Sequence, residues 1–582
     1  MYLLAFAALS SASAISDWLI ADIAAQTKPY FADNKDGTWS FGNNLITRVF
    51  QYNPAAPGTG FGTLDYRDET TGTSLLRAID CEGYLTLDGV THPLGSLIQT
   101  GTQYHAYLNR SATGVVFNPD GWDAVGHTLS TPTAPFPWTP GSRGSPATAQ
   151  WPPQGLQLAF TLRPPRAAPA ALQAVAVQLI FEIYPSMPLL TKWVTVASNG
   201  TAATGIVVDG VVTESLRLAR QYSPWALGGQ SPAGAGTWVP PPARLYVQTD
   251  EAHGTQVQFL DDGAEPTDPG AVECVMIANY SSGGPGVVLG SKGSPLHRTR
   301  VGATEAELVT FRTFELVLDT EDAERRGMAV KRLYRLWAPH AQENPIFFHA
   351  TDTTPAGFQL EVDQMAAVGF EMLIYSFGSG FNLETADPAY LAQVKAQIAY
   401  ARSKGIEVGG YDLICLDRGE GGYGGNVGKQ WDTVAADGSL KADACFASGW
   451  VDKLNDFAYG FINETGLSML ETDGPYGGGD CHSTNHSHHA QWSDSVYQQN
   501  KVQASWYSGL RARNVYINQP DDYFFQGGQR TGLGYNEDQY SLPRWQDITV
   551  SRQTVYDQTY AKIPTMVSGV GAPPPLKRAR PQ

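Results

Sequence analysis

The stretch LSMLETDGPYGGGDCH, residues 467–482, joins a short apolar run to carboxylates and then to a glycine-rich segment. Strand side chains alternate between two faces. The spacing therefore predicts a strand in which Leu467, Met469, Glu471 and Asp473 share one face, with Asp473 at the C-terminal tip. The C-terminal strand ends are where catalytic groups of a (β/α)8 barrel collect. An aspartate that merely caps the next loop is the alternative interpretation.

Strands and helices alternate from residue 344 onward, which predicts βα units, a parallel sheet and helices outside it. The predicted strands are 346–349, 371–376, 406–412, 467–473, 515–520 and 563–567. A closed barrel of this type has eight strands, so we expect a TIM-type (β/α) barrel truncated after about six. Such a truncated chain is expected to be poorly soluble or inactive.

The first half of the chain has the pattern of β-structure. Val175, Val177, Leu179, Phe181 and Ile183 alternate along one strand face. Strands at this density predict an antiparallel β-sandwich. Two apolar runs, 245–249 and 256–260, flank His253-Gly254 and predict a hairpin. The Pro-, Thr- and Ala-rich segment 130–170 predicts a long surface loop.

Helical spacing begins at residue 321 and stops at Pro339. We expect this helix to pack the sandwich against the barrel. The predicted organisation is a signal peptide at 1–14, a β-sandwich domain at 15–320, a helical linker at 321–343, a catalytic (β/α) barrel domain at 344–570 and a disordered tail at 571–582.

Composition excludes some classes of function. The net charge is −17, which argues against nucleic acid and anionic membranes as partners. Residues 1–14 pair an apolar core with a small-x-small ending, as secretory signals do, and N-x-S/T sequons begin at five asparagines. We therefore expect a secreted glycoprotein, or one in the endomembrane lumen. One disulfide among Cys415, Cys445 and Cys481 is expected in such a compartment.

Polar side chains cluster at the predicted strand ends and the loops after them. The candidates for substrate binding are Asp352, Tyr411, Asp412, Glu471, Tyr476, Asn518, Tyr535 and Arg544. The candidates for catalysis are Asp473, Asp521, Asp522 and Glu537. Glycoside hydrolysis needs two carboxylates, one ionised and one protonated. Crowding acidic groups in one pocket raises the pKa of one of them and favours that division.

The segments ETDGPYGGGDCHST (471–484), VYINQPDDYF (515–524) and GYNEDQYSLPR (534–544) resemble α-galactosidase-like proteins. The predicted architecture resembles the melibiase-like glycoside hydrolases of clan D. This resemblance implies hydrolysis of α-linked, galactoside-like sugars by a retaining mechanism, with Asp473 as nucleophile. It also implies an oligosaccharide or polysaccharide substrate and no cofactor.

The chain departs from that family's pattern at two places. The family takes its acid/base from strand six, but residues 563–570 contain no carboxylate. Asp521, Asp522 and Glu537 remain as substitutes, and Glu537 ranks first because its loop is long enough to reach over the cleft. At the second place, Glu471 stands where the family typically has a lysine that holds sugar hydroxyls.

Two other functions stay open from the sequence. One is a carbohydrate-binding protein without turnover. The other is a metal-dependent hydrolase that uses His482, His486, His488 and His489, among which His486 and His489 would share a face if the segment were helical. A flexible, solvated loop is the interpretation we favour for these histidines, so no metal site is expected.

Overall fold

The computed structural model describes residues 16–56, 59–100, 114–199, 205–219, 244–251, 257–261, 274–280, 285–289, 308–320, 322–343, 345–376, 378–415, 427–472, 474, 479–519 and 524–528. Within these ranges the chain has the multidomain β plus α/β architecture that the sequence predicts. No helix in the described ranges combines the length and the apolar character required to cross a membrane.

Nearly all the regular elements described in the first half of the chain are β-strands. They are β1 (Tyr30–Asp33), β2 (Thr38–Gly42), β3 (Ile46–Gln51), β4 (Gly62–Asp68), β5 (Thr73–Ser74), β6 (Leu76–Ala78), β7 (Gly83–Leu87), β8 (Val90–Leu94), β9 (Leu97–Thr100), β10 (Gly114–Phe117), β11 (Asp123–Ser130), β12 (Leu156–Arg163), β13 (Val175–Ile183), β14 (Leu189–Ser198), β15 (Val207–Leu218), β16 (Leu245–Thr249), β17 (Val257–Asp261), β18 (Cys274–Asn279), β19 (Val287–Val288), β20 (Leu308–Val309) and β21 (Thr313–Val317). One short helix, α1 (Ala170–Gln173), interrupts them.

These strands form antiparallel sheets around a shared apolar core. One sheet has the order β1-β2-β3-β4-β5, a second β11-β12-β13-β14-β21-β16 with β20 on β14, and a third β17-β18-β15-β7-β8 with β6 and β19 on β15. Alternate residues of β13 that the sequence analysis singled out, such as Val177 and Phe181, are fully buried in that core. The predicted antiparallel sandwich is confirmed.

Two local predictions in this half are wrong. Strands β16 and β17 do not form a hairpin, because β16 pairs with β21 and β17 pairs with β18 in another sheet. Segment 130–170 is not a loop throughout, since β12 lies in the middle of a sheet between β11 and β13. The partner of β16 is distant in sequence, and local composition carries no information about it.

A charged network lies inside the sandwich. Arg48 donates to Glu214 at 2.7 Å and to Glu82 at 2.6 Å, and Lys192 donates to Glu214 at 2.9 Å. All four side chains are buried. Burial itself favours the neutral form of Glu214, but the positive charges of Arg48 and Lys192 outweigh this and lower its pKa to about 2. Each buried charge of this network is compensated by an opposite charge, so removal of one side chain would leave another charge buried and uncompensated.

The predicted helix after the sandwich is confirmed as α2 (Ala323–Trp337). Asp322 caps its first turn by accepting from the backbone N–H of Arg325 at 2.8 Å. The guanidinium of Arg312 lies between two indole rings, 3.9 Å from the centre of Trp193 and 4.2 Å from that of Trp337. This cation–π arrangement joins the helix to the sandwich.

Parallel strands and helices alternate in the second half. The elements are β22 (Phe347–Ala350), α3 (Pro355–Val368), β23 (Met372–Tyr375), α4 (Pro388–Ser403), β24 (Glu407–Asp412), β25 (Asp432–Val434), β26 (Leu440–Ala444), α5 (Gly449–Thr465), β27 (Met469–Thr472), α6 (Trp492–Arg511) and β28 (Tyr516–Asn518). The parallel sheet has the order β22-β23-β24-β27-β28, while β25 and β26 form a separate antiparallel pair. Five of the six predicted barrel strands are therefore confirmed; the sixth lies outside the described residues.

The two faces of the parallel sheet have different roles. Leu373, Val408, Leu470 and Ile517 pack with the surrounding helices. Met372, Ile374, Met469 and Tyr516 pack with one another on the opposite face. The second set is the inward-facing layer expected of a barrel wall.

A loop of the sandwich covers the amino-terminal edge of this sheet. Arg143 donates to the Glu407 carboxylate at 3.0 Å, to the Ser468 carbonyl at 3.3 Å and to the Asn514 carbonyl at 2.7 Å. These three acceptors lie at or just before the first residues of β24, β27 and β28. On a second contact surface, Tyr497 of α6 packs into the sandwich core and bonds the backbone of Val309. The expected packing of the sandwich against the barrel is confirmed.

Candidate active site at the carboxyl ends of the parallel strands

The inward face of the sheet changes from apolar to polar toward its carboxyl edge. Gly409, Met469 and Tyr516 are aligned across β24, β27 and β28. Two residues further along the same strands, Tyr411, Glu471 and Asn518 are aligned in the same way. Because side chains alternate with period 2, the second row lies on the same face as the first. A polar row therefore stands directly above the apolar interior.

Glu471 is the centre of this row. Its Oε1 accepts from Nδ2 of Asn518 at 2.7 Å. Its Oε2 is 3.4 Å from Nε2 of His349, which belongs to β22. Glu471 and Asn518 are both buried. A buried carboxylate with such neighbours has a fixed orientation, as a group that positions a substrate requires.

Sequence reasoning missed His349, although it is the last residue of the predicted strand 346–349. On the other side of its ring, Nδ1 lies 3.3 Å from Oγ of Ser376, which follows β23. Desolvation by burial lowers the pKa of His349 to about 4. The imidazole is therefore neutral at neutral pH, when it has one donor and one acceptor nitrogen. Only the folded chain, which brings Glu471 close to its ring, distinguishes this histidine.

Small residues make room for this interior. A Cβ atom built on Gly409 would overlap the thioether of Met469 and lie 2.6 Å from its Cβ. A glycine in β24 therefore allows Met469 to fill the layer below Glu471. In a barrel interior, large and small side chains alternate for this reason.

The structure separates the other predicted substrate-binding residues. Asp412 is buried, but it is aligned with Thr472 on the opposite face from Tyr411 and Glu471. Asp352 is exposed, and its carboxylate accepts from the backbone N–H of Thr354 at 3.0 Å just before α3. The hydroxyl of Thr354, which donates to the same carboxylate at 2.7 Å, and this backbone N–H lower the pKa of Asp352. The prediction that Leu467 shares the face of Met469 is wrong, because Leu467 precedes β27 and packs with the outer helices.

Seven predicted site residues lie outside the described residues, and their roles stay predictions. They are Asp473, Tyr476, Asp521, Asp522, Tyr535, Glu537 and Arg544.

The histidine segment after β27 is neither helical nor generally solvated. His488 and His489 are buried, which contradicts the expected solvated loop for these two. His488 contacts Asp452 at 2.8 Å, and His482 stacks on Trp492. His486 and His489 meet through a loop that precedes α6, where they face Cys445 and Cys481.

The expected disulfide is also absent from the described side chains. Cys81, Cys415, Cys445 and Cys481 are all buried, and none of them forms a disulfide in the part of the chain that the structure describes.

Comparisons with solved structures identify the architecture. The chain is similar to the glycoside hydrolase family 36 α-galactosidase AgaB from Geobacillus stearothermophilus, with a TM-score of 0.54, 11% identity, and coverage of 91% of this chain and 78% of that one. It is also similar to the α-galactosidase from Lactobacillus brevis, with a TM-score of 0.53, 12% identity, and coverage of 91% and 76%. The chain has an α-galactosidase-like fold.

A third similar structure is the galactosidase domain of the α-galactosidase-sucrose kinase AgaSK, with a TM-score of 0.51, 10% identity, and coverage of 91% and 77%. No protein-family profile matches the sequence, and no curated protein matches it. At such identities the likeness concerns the fold, and function has to be argued from the residues of the site.

Proposed function

We propose that this protein is a retaining glycoside hydrolase that cleaves α-linked galactoside-like sugars. The observation that carries the proposal is the polar row of Tyr411, Glu471 and Asn518 at the carboxyl edge of the parallel sheet, in which Glu471 and Asn518 are buried. In barrel enzymes, catalytic groups lie at this edge. Arg143 and the sandwich loop cover the opposite edge, which leaves the carboxyl edge for substrate.

Asp473 is proposed as the nucleophile. It follows Glu471 by two residues, and strand alternation predicts that it continues the same face toward the tip. In the first step its carboxylate attacks the anomeric carbon while a carboxylic acid protonates the departing glycosidic oxygen. In the second step that same group, now a base, takes a proton from the water that hydrolyses the glycosyl-enzyme. Glu537, Asp522 and Asp521 are the candidates for this acid/base, in that order.

Glu471 is proposed to accept hydrogen bonds from sugar hydroxyls. Asn518 engages one of its oxygens at 2.7 Å and His349 faces the other at 3.4 Å. A carboxylate held in this way selects a neutral, hydroxyl-rich ligand over an anionic one, because a second negative charge close by would be repelled. The substrate class proposed is therefore a neutral α-galactoside.

The test is turnover by the full chain of a panel of aryl glycosides: α-galactoside, α-N-acetylgalactosaminide, α-glucoside and β-galactoside. Although the sequence pattern alone predicted a poorly soluble or inactive chain, we expect hydrolysis of the α-galactoside and, by proton NMR, an α-anomer as the first sugar product. Asp473→Asn should abolish turnover while Asp480→Asn, a neighbouring change, should retain it. A β-anomer as first product would contradict the retaining mechanism. Glycan binding without turnover of any member would replace the enzyme by a carbohydrate-binding protein.

We also propose that the chain enters the secretory pathway and is glycosylated. The basis is the apolar segment 1–14 and the five sequons. Expression of the full coding sequence in a eukaryotic cell should yield a mature chain that begins at Ile15 and shifts in mass on endoglycosidase treatment. An unprocessed, unglycosylated chain that stays in the cytosol would contradict this.

A further inference from the structure

A group of two thiols and two imidazoles meets in the second half of the chain, and none of its members belongs to the polar row of the site. Its members are Cys445, Cys481, His486 and His489, here called the thiol–imidazole cluster. One potential ligand atom from each lies within 4.8 Å of all the others. Both cysteines are fully buried, and His489 is 7% exposed. These residues come from two segments that are 36 positions apart at their nearest, counted from Cys445 to Cys481.

The distances fit the edges of a tetrahedron around zinc. Sγ of Cys481 is 3.4 Å from Nδ1 of His486, and Nε2 of His489 is 3.3 Å from the same nitrogen. Zinc with bonds of about 2.3 Å to sulfur and about 2.0–2.1 Å to nitrogen places neighbouring ligand atoms roughly 3.3–3.8 Å apart. The two imidazole rings are inclined at 83° to each other, so both can point a nitrogen at one centre without stacking.

The other ring nitrogen of each histidine faces a backbone carbonyl. Nε2 of His486 lies 3.3 Å from the Gln430 oxygen, and Nδ1 of His489 lies 3.2 Å from the Gln491 oxygen. Metal-bound histidines typically donate their second N–H to such an acceptor, which fixes the tautomer and aims the free lone pair at the metal. Here both second nitrogens have that acceptor, and both remaining nitrogens point into the cluster.

The surrounding backbone is also arranged for a thiolate. The Val434 N–H donates to Sγ of Cys481 at 3.4 Å, and the Cys481 N–H is bound by Oγ of Ser495 at 3.0 Å. Cys445 follows the last residue of β26, and its N–H donates to the Trp431 carbonyl at 2.8 Å. Contacts with the β25–β26 pair and with the start of α6 therefore hold the two cysteines in place without a bound ion.

We propose that the thiol–imidazole cluster binds one zinc ion with a structural role. Two thiolates and two neutral imidazoles give the ligand set typical of closed tetrahedral zinc sites, in which no position remains for water or substrate. Bound zinc joins residues 480–491, which follow β27, to the β25–β26 pair. The ion therefore stabilises the segment between the strand of Glu471 and helix α6, and takes no part in catalysis.

The first experiment measures metal in the full chain without a histidine tag, purified with added zinc and then desalted. We expect about one zinc per chain by plasma mass spectrometry. X-ray absorption should show two sulfur and two nitrogen ligands, at about 2.3 Å and about 2.0–2.1 Å. A zinc-free protein, or a shell made mainly of oxygen, would overturn the proposal. So would a Cys445–Cys481 disulfide in a non-reduced peptide map, because it would consume both thiolates.

Substitutions within and outside the cluster test which side chains bind the zinc ion. Cys481→Ser and His489→Gln should each lose the zinc equivalent and lower the melting temperature. Two control variants should keep the zinc ion. Cys415→Ser removes a buried thiol outside the cluster, and His482→Gln removes a histidine of the same segment. Zinc retained in both cluster variants would contradict the assignment. If these variants do not fold, the zinc content and the X-ray absorption spectrum of the unmodified chain still test whether zinc is bound by two sulfur and two nitrogen ligands. Neither readout depends on turnover, so the zinc proposal and the glycosidase proposal can fail separately.

Discussion

Asn518 donates its side-chain amide to Oε1 of Glu471 over 2.7 Å, across two neighbouring parallel strands. This hydrogen bond lies immediately above the apolar layer that contains Met469 and Tyr516. The sequence predicted these two residues at the ends of different strands. The hydrogen bond holds their side chains together in a fixed orientation. The function proposed here depends on that unit, because a sugar hydroxyl needs an acceptor whose direction is fixed.

Replacing Asn518 by aspartate should impair catalysis without unfolding the barrel. The new carboxylate cannot donate to Glu471, and two adjacent carboxylates cannot both be ionised comfortably. We expect kcat/KM for an α-galactoside to fall on the order of 100-fold, as displacements of about 1 Å near a reacting centre do. The control is Asn53→Asp at an exposed position, where the side-chain oxygen accepts from the backbone N–H of Ala55. Equal activity of the two variants would contradict the role of the pair.

Gly409→Ala should destabilise the barrel interior. The added methyl group would lie 2.6 Å from Cβ of Met469. Overpacking of this kind costs about 1–3 kcal/mol of unfolding free energy. Gly460→Ala is the matched control, since its Cβ meets nothing within 4 Å and lies within α5; there alanine should be neutral or stabilise by about 0.5–1 kcal/mol. Urea unfolding measures the stability of both variants. Equal midpoints would show that the apolar layer rearranges to accommodate the methyl group at position 409.

Arg48→Met tests the charged network of the sandwich. The change leaves Glu82 and Glu214 buried with Lys192 as their remaining cation. Removing one partner of a buried charge network typically costs about 3–5 kcal/mol. Lys395→Met removes the Lys395–Glu464 pair, in which both side chains are 57% exposed, and exposed pairs contribute only about 0–1 kcal/mol. Similar denaturation midpoints for the two variants would refute the importance of the network.

His349 should make stability depend on pH in the acid range. Its pKa is lowered to about 4 in the folded chain by burial, against about 6.5 when unfolded. Above about pH 6.5 the group is neutral in both states and has no effect. As the pH falls from there toward 4, the unfolded state binds a proton that the folded state does not, so stability decreases.

The measurement is the urea midpoint at several pH values between 7 and 4, for the unmodified chain and for His349→Gln. We expect a shallower decline in the variant, with His482→Gln as the control for replacing a histidine. Parallel curves for the unmodified chain and His349→Gln would show that His349 does not resist protonation in the folded state.

Local patterns in the sequence predicted most of the framework. Alternation of apolar residues predicted the sandwich, and βα repeats predicted five parallel strands to within one or two residues at most ends. The helix that ends at Trp337 was predicted from its spacing and from Pro339. These features depend on periodicities that a short window contains.

Relationships between distant residues could not be predicted. Arg48 pairs with Glu214, and Cys445 faces His489, only because the folded chain brings remote segments together. The hairpin predicted at 245–260 failed for the same reason, since both strands find partners elsewhere. His349 was overlooked because a single histidine in a short apolar strand has no distinctive pattern until Glu471 stands opposite it.

The central claim is that Asp473, two residues beyond Glu471, is the nucleophile of a retaining α-glycosidase. The direct measurement is covalent labelling of the full chain with a galactose-configured α-cyclitol epoxide, followed by peptide mass spectrometry. We expect one label per chain, on Asp473, and loss of α-galactoside hydrolysis in proportion to the extent of labelling. A label on another carboxylate, or undiminished turnover by a fully labelled chain, would contradict it.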